Sequence, residues 1–123
     1  MLETDLKSKV IKALKNRGLG ILDLSSIGNG VFDLMVYLGN KFVFLELKLN
    51  NRALEDTQKN FIVLNPNTKL LVLKYQVAKK ECYLCAHHKR HMQVFLNPDD
   101  NNDIYNFSFR EVCDTIFTFM GEL

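Results

Sequence analysis

Apolar residues recur along the chain in two rhythms, one helical and one typical of strands. Leu6, Val10, Ala13, Leu14 and Arg17 fall at helical spacing, and Gly18 follows as a stop signal, so residues 3 to 17 are predicted to form a helix. A short apolar run, Ile21 to Leu24, precedes the polar break Ser25-Ser26 and Gly28-Asn29-Gly30. Two segments rich in Val, Leu, Phe and Tyr then follow, Val31 to Leu38 and Lys41 to Leu49, separated by Gly39-Asn40. They predict strands joined in a tight hairpin. Their consecutive apolar positions predict a sheet covered on both faces.

Helical spacing returns over residues 53 to 63 with Leu54, Phe61 and Ile62, until Asn65-Pro66-Asn67 ends it. Lys69 to Tyr75 is a further strand. Because a helix separates it from the hairpin, a right-handed crossover is expected to lay it parallel to the hairpin's second strand. Weaker strand patterns around 81 to 87 and 91 to 96 precede a polar loop, Asn97 to Asn106. Ser108 with Glu111 three residues later is a capping-box pattern, opening a terminal amphipathic helix through Val112, Ile116, Phe117 and Met120. The expected fold class is α/β, with a central mixed sheet flanked by helices.

The 123 residues give room for one domain and no second core. No apolar run reaches the length of a membrane span, and the acidic start Met1-Leu2-Glu3-Thr4-Asp5 lacks a signal-peptide core, so a cytoplasmic protein is expected. Three cysteines, an odd count, argue for reduced thiols. The net charge of +2 conceals an asymmetry: residues 1 to 92 carry 15 Lys and Arg against 8 Asp and Glu, and residues 93 to 123 carry 1 against 6. A basic body suits a phosphate-rich partner. Lys7, Lys12 and Lys15 on the first helix are candidate phosphate contacts, against the plainer reading of a solvated helix face.

The hairpin permits a geometric deduction. If Gly39 and Asn40 are its central residues, cross-strand partners have numbers summing to 79, and Asp33 lies opposite Glu46. Lys48 projects from the same face as Glu46, which reads Asp33, Met35, Tyr37, Phe42, Phe44, Glu46, Lys48; the other face, with Phe32, Leu34, Val36, Val43, Leu45 and Leu47, is apolar. Two facing carboxylates repel unless a cation or proton lies between them. A hard divalent cation such as magnesium removes the repulsion, and Lys48 can then orient or activate an attacking water. A purely structural ion triad of Asp33, Glu46 and Lys48 is the competing reading.

Gly30-Val31-Phe32-Asp33, followed across a hairpin by Phe44-Leu45-Glu46-Leu47-Lys48, resembles the motif of the PD-(D/E)XK nuclease superfamily. Within it the chain is most similar to the small virus-type replication and repair nucleases, the VRR-NUC domains, with Glu3 in the first helix and Gln58 in the helix after the hairpin. The similarity spans about residues 3 to 75, and residues 76 to 123 form an extension that matches no known pattern. Phe32 departs from it, standing where the family usually has proline.

The resemblance implies a restriction-endonuclease-like αβββαβ core and a magnesium-dependent DNA endonuclease, with manganese able to substitute. Asp33, Glu46 and the backbone carbonyl of Leu47 would bind metal, Lys48 would act on water, and Glu3 and Gln58 would stand at the edge of the site. Glu3 shares a helix face with Leu6 and Val10, which would turn it toward the sheet, and Gln58 lies on an apolar stripe where a polar group needs a partner. The small size, with the habit of such relatives, leads to the expectation of a homodimer acting on branched or Holliday-junction DNA.

Two other classes compete: a nuclease fold that binds nucleic acid without cutting it, and a zinc-stabilised interaction domain. The second would use Cys82, Cys85, His87, His88 and His91, whose spacing is too close for ordinary finger ligands. Lys89 and Arg90 are read instead as a basic turn touching a phosphate backbone.

Overall fold

The computed structural model describes residues 2–27, 31–50, 52–78, 81–86, 104–107 and 109–122. In chain order its elements are α1 (Glu3–Asn16), β1 (Gly20–Asp23), a 3-10 turn (Leu24–Ile27), β2 (Leu34–Leu38), β3 (Lys41–Leu49), α2 (Asp56–Leu64), β4 (Leu70–Gln76), β5 (Glu81–Ala86), β6 (Ile104–Phe107) and α3 (Phe109–Glu122). The first six regular elements follow the αβββαβ order expected from the sequence. All six strands join one sheet in the order β1-β2-β3-β4-β5-β6. The β3–β4 pair is parallel, because α2 carries the chain back between them, and every other pair is antiparallel.

Side-chain alternation divides the sheet into two unlike faces. On one, Leu34, Val36, Val43, Leu45, Leu47, Leu71 and Leu73 pack against Leu6, Val10 and Leu14 of α1 and Val112, Ile116 and Met120 of α3. On the other, Leu70, Val72, Phe32 and Phe44 meet Phe61 and Ile62 of α2. Two helices therefore cover one face and the short α2 covers part of the other. The cover is incomplete: Tyr37 is 42% exposed and Phe42 50%, so the α2 side of the hairpin tip is open rather than buried on both faces as the apolar run predicts.

The hairpin register is as deduced, with Leu34 opposite Leu45 and Leu38 opposite Lys41. Two details differ. Residues 31–33 bend and β2 begins only at Leu34, so alternation cannot be extended back to Phe32. Phe32 packs 5.3 Å from Phe44 and 5.5 Å from Phe61, ring centre to ring centre, on the face opposite Leu34 and Val36. Part of the segment read as a polar loop is strand, since β6 pairs with β5 from Cys82–Phe107 to Cys85–Ile104; the β-prone residues Ile104, Tyr105 and Phe107 were outweighed by the Asp and Asn beside them. The strand pattern at 91 to 96, Gly28–Gly30 and the cap residue Ser108 lie outside the described residues. No helix among the described residues is long and apolar enough to cross a membrane.

Candidate active site

β3 outruns β2. Their pairing ends at Leu34–Leu45, so Glu46 to Leu49 have β4 on one side and the 31–33 bend on the other. At that junction each strand supplies a carboxylate to the other. The Asp33 N–H donates to Glu46 Oε1 at 3.0 Å, and Asp33 Oδ2 accepts the Leu47 N–H at 2.9 Å. The bend that displaces Phe32 is thus held by the same two acids that form the site.

Glu46 Oε2 accepts from Gln58 Nε2 at 2.6 Å and pairs with Lys48 Nζ at 3.0 Å. Gln58 Nε2 also donates to the Val31 carbonyl at 2.9 Å, while its Oε1 accepts the Glu55 N–H at 2.9 Å. Gln58 sits in the first turn of α2, so one side chain both satisfies a helix-end N–H and clamps the carboxylate. Every polar atom of this 4%-exposed amide has work, which answers the requirement raised by its place on an apolar stripe.

Glu46 and Lys48 are 4% and 3% exposed. Burial disfavours the Glu46 carboxylate and is the largest influence on it. The bonds from Gln58 and Lys48 favour ionisation, the neighbouring Asp33 opposes it, and the result lifts the Glu46 pKa to about 6. The charge of Asp33 thus strengthens the hold of Glu46 on a proton. Such a pair has affinity for a proton or for a cation placed between its oxygens.

The backbone adds a third oxygen. Phe44 N–H donates to Lys69 on the β4 side, so by alternation the N–H and C=O of Leu47 both face away from β4. They point past the end of β2 toward Asp33, where the N–H is used. Asp33 Oδ1 has no hydrogen-bond partner among the described residues. Two carboxylates and a carbonyl fit a hard cation that keeps part of its water shell; they do not suit zinc, which favours nitrogen and sulfur. Among the described residues there is no cluster of three or more His, Cys, Asp or Glu.

The structure brings Asp33, Glu46, Leu47, Lys48 and Gln58 together. Among the described residues it does not add Glu3, Lys7, Lys12 or Lys15. Glu3 has a 41%-exposed side chain and meets Arg52 at 3.1 Å, instead of turning into the sheet. Lys7 bonds Asp23 at 2.7 Å and Ser25 at 2.6 Å. Lys12 and Lys15 are exposed on α1, in the layer on the opposite side of the sheet from the Glu46 and Lys48 side chains. Lys89, Arg90, His87, His88, His91 and the Cys85 side chain lie outside the described residues. Cys82 is fully buried in the core beneath α1 and α3, where burial pushes its thiol up to about 11. It is a core residue in its protonated form.

One residue on this face was not singled out from the sequence. Lys74 of β4 stands in register with Lys48, just as Val72 stands beside Glu46. The signal was available only once the parallel register was known, since nothing in the sequence near Lys74 resembles a motif.

No protein-family model and no curated protein matches the chain. Among solved structures it is similar to Hjc, a Holliday junction resolvase from the archaeal hyperthermophile Archaeoglobus fulgidus. Sequence identity is 15%, the match covers 94% of this chain and 97% of that chain, and the TM-score is 0.48.

Proposed function

We propose that this chain is a divalent-metal-dependent endonuclease hydrolysing phosphodiester bonds in DNA. The observation that carries the reading is the meeting of Asp33 and Glu46 across adjacent ribbons, with the Lys48 ammonium 3.0 Å from the Glu46 carboxylate. An ion pair of Glu46 and Lys48 accounts for the buried charges alone, whereas cation-assisted hydrolysis also gives a use to the second acid, Asp33, beside them.

Asp33, Glu46 and the Leu47 carbonyl would hold magnesium, or manganese in its place. A cation there supplies Lewis acidity and lowers the pKa of water. Lys48 orients the attacking water and neutralises charge growing on the phosphate oxygens. Gln58 holds Glu46 in the orientation that faces Asp33. Water attacks phosphorus directly, one P–O ester bond breaks, and no covalent enzyme intermediate forms. Glu3, whose carboxylate pairs with Arg52, is left outside this proposal.

DNA as substrate is supported by the G-x-x-D and E-x-K pattern and by the basic body of the chain. Branched or junction DNA, cut by two copies acting together, is the finer reading. The surface it needs is the open side of the hairpin tip. There Leu22, Met35, Tyr37 and Phe42 line a hollow of about 400 Å³, and Phe42, Phe44 and Leu64 line one of about 830 Å³ beside it.

The deciding experiment is a cleavage assay on single-stranded, duplex, flapped and four-way DNA, with and without Mg²⁺ or Mn²⁺. Metal-dependent cleavage that is lost by at least about a hundredfold in folded Asp33→Asn and Lys48→Met variants is expected, the scale of a transition-state charge stabiliser. Binding without cleavage of any substrate would establish the non-cutting module instead.

A further inference from the structure

We infer that Lys74 is a phosphate-binding residue that positions the substrate strand beside Lys48. The inference rests on the proposed hydrolase site and extends it by a residue that no motif includes.

The parallel register sets Lys74 directly beside Lys48, and paired residues of adjacent strands project from the same face. Neighbouring strands lie about 4.8 Å apart, so two ammonium-bearing side chains rise side by side from the C-terminal ends of β3 and β4. Lys48 is buried and committed to Glu46. Lys74 is half-buried and has no carboxylate partner among the described residues. Glu46 neutralises Lys48, so Lys74 is the ammonium of this pair left to accept an outside anion. A phosphodiester next to the scissile group is such an anion: it carries one negative charge, and a lysine binds it as a point charge without demanding a fixed geometry. Lys12 and Lys15, in the layer on the other side of the sheet, cannot serve the same stretch of strand.

The test compares wild type with Lys74→Gln, Lys74→Arg and, as a charge control on the far side of the sheet, Arg110→Gln on α3. DNA binding is measured in EDTA, where nothing is cut, over a range of salt, and cleavage kinetics are measured in Mg²⁺. For Lys74→Gln we expect a several-fold weaker Kd and a log–log salt slope shallower by about 0.9, the value of one lost phosphate contact on duplex DNA. KM should rise with kcat nearly unchanged. Lys74→Arg should restore both binding and slope, and Arg110→Gln should alter neither. An unchanged slope in Lys74→Gln, a loss that Lys74→Arg does not rescue, or absence of DNA binding by wild type overturns the inference. If wild type binds DNA through Lys74 but cuts nothing with either metal, the hydrolase reading fails and the phosphate contact stands. If wild type cuts and Lys74→Gln is indistinguishable from it, the reverse holds.

Discussion

The residue that decides the behaviour of the site is Glu46. Its neighbours pull in opposite directions, with burial and Asp33 favouring the protonated acid, and Gln58 and Lys48 favouring the carboxylate. The balance raises its pKa from 4.5 to about 6. The sign of the consequence follows. Stabilisation from the protonated group is fully present below pH 4.5 and is lost as pH rises through about 6, a difference of about 2 kcal/mol at 1.36 kcal/mol per pKa unit. A cation that binds only the ionised form returns stability above that range and competes with protons below it. Magnesium at ten times its Kd is therefore expected to raise Tm by about 5 °C at pH 7.5, from about 1.4 kcal/mol of binding linkage. At pH 5, where about a tenth of Glu46 is ionised, the rise should shrink to about 1–2 °C, and in Asp33→Asn it should be absent at both pH values. Thermal melts of the metal-stripped protein, with and without Mg²⁺, check this. An equal rise at pH 5, or one that survives Asp33→Asn, would show that the metal binds elsewhere.

At the scale of the element, the β2–β3 hairpin brings Asp33, in the bend before β2, to Glu46 just past the last β2–β3 pair, and its turn sets the register. Gly39 has φ +65°, while Asn40 does not have a positive φ; this is a type II′ turn, with glycine required at its first central position. A Cβ at Gly39 would meet no atom within 4 Å, so Gly39→Ala isolates the backbone effect. A loss of about 1–2 kcal/mol is expected, because the first central position of a II′ turn lies outside the region that L side chains adopt easily; denaturant melts measure it, and an unchanged stability would contradict the turn assignment. This hairpin also explains what was legible in the sequence. Gly39-Asn40 between two apolar runs specified the register from Leu34–Leu45 to Leu38–Lys41, and one step beyond it Asp33 and Glu46 meet through the bend rather than as a ladder pair. Phe32 was misplaced because the strand rule was carried past Leu34 into a bend made by side-chain bonds to Glu46 and Asp33, which no periodicity encodes. Lys74 was missed for a different reason: its importance comes from a partner 26 positions away on a parallel strand, which only the assembled sheet reveals.

For the whole molecule, the three layers are unequal. α1 and α3 seal one face of the sheet, whereas α2 leaves the hairpin tip bare on the other, with Leu22 40%, Tyr37 42%, Phe42 50% and Leu64 79% exposed. Together with Met35 and Phe44 these side chains present on the order of 500 Å² of apolar surface, at the upper end of what a monomer leaves open. A stable interface needs about 800 Å² per partner, of which this patch would supply the apolar centre and Asn40, Lys41, Asn65 and Asn67 the polar rim of a contact with a second copy. A twofold contact would place this patch against itself, which suits its apolar centre and polar edge. Phe42 lies four residues before Glu46 on β3, about 13 Å away at 3.3 Å per residue, so altering it leaves the two acids and Lys48 in place. Phe42→Glu buries a charge in any such contact. Light scattering is expected to give wild type at twice 14.2 kDa and the variant at 14.2 kDa, with coordinated cutting of four-way DNA lost and simple nicking of duplex retained. Wild type at 14.2 kDa and fully active on four-way DNA would instead mean that each copy works alone. The exposed tip would then have to meet something other than a second copy of the chain.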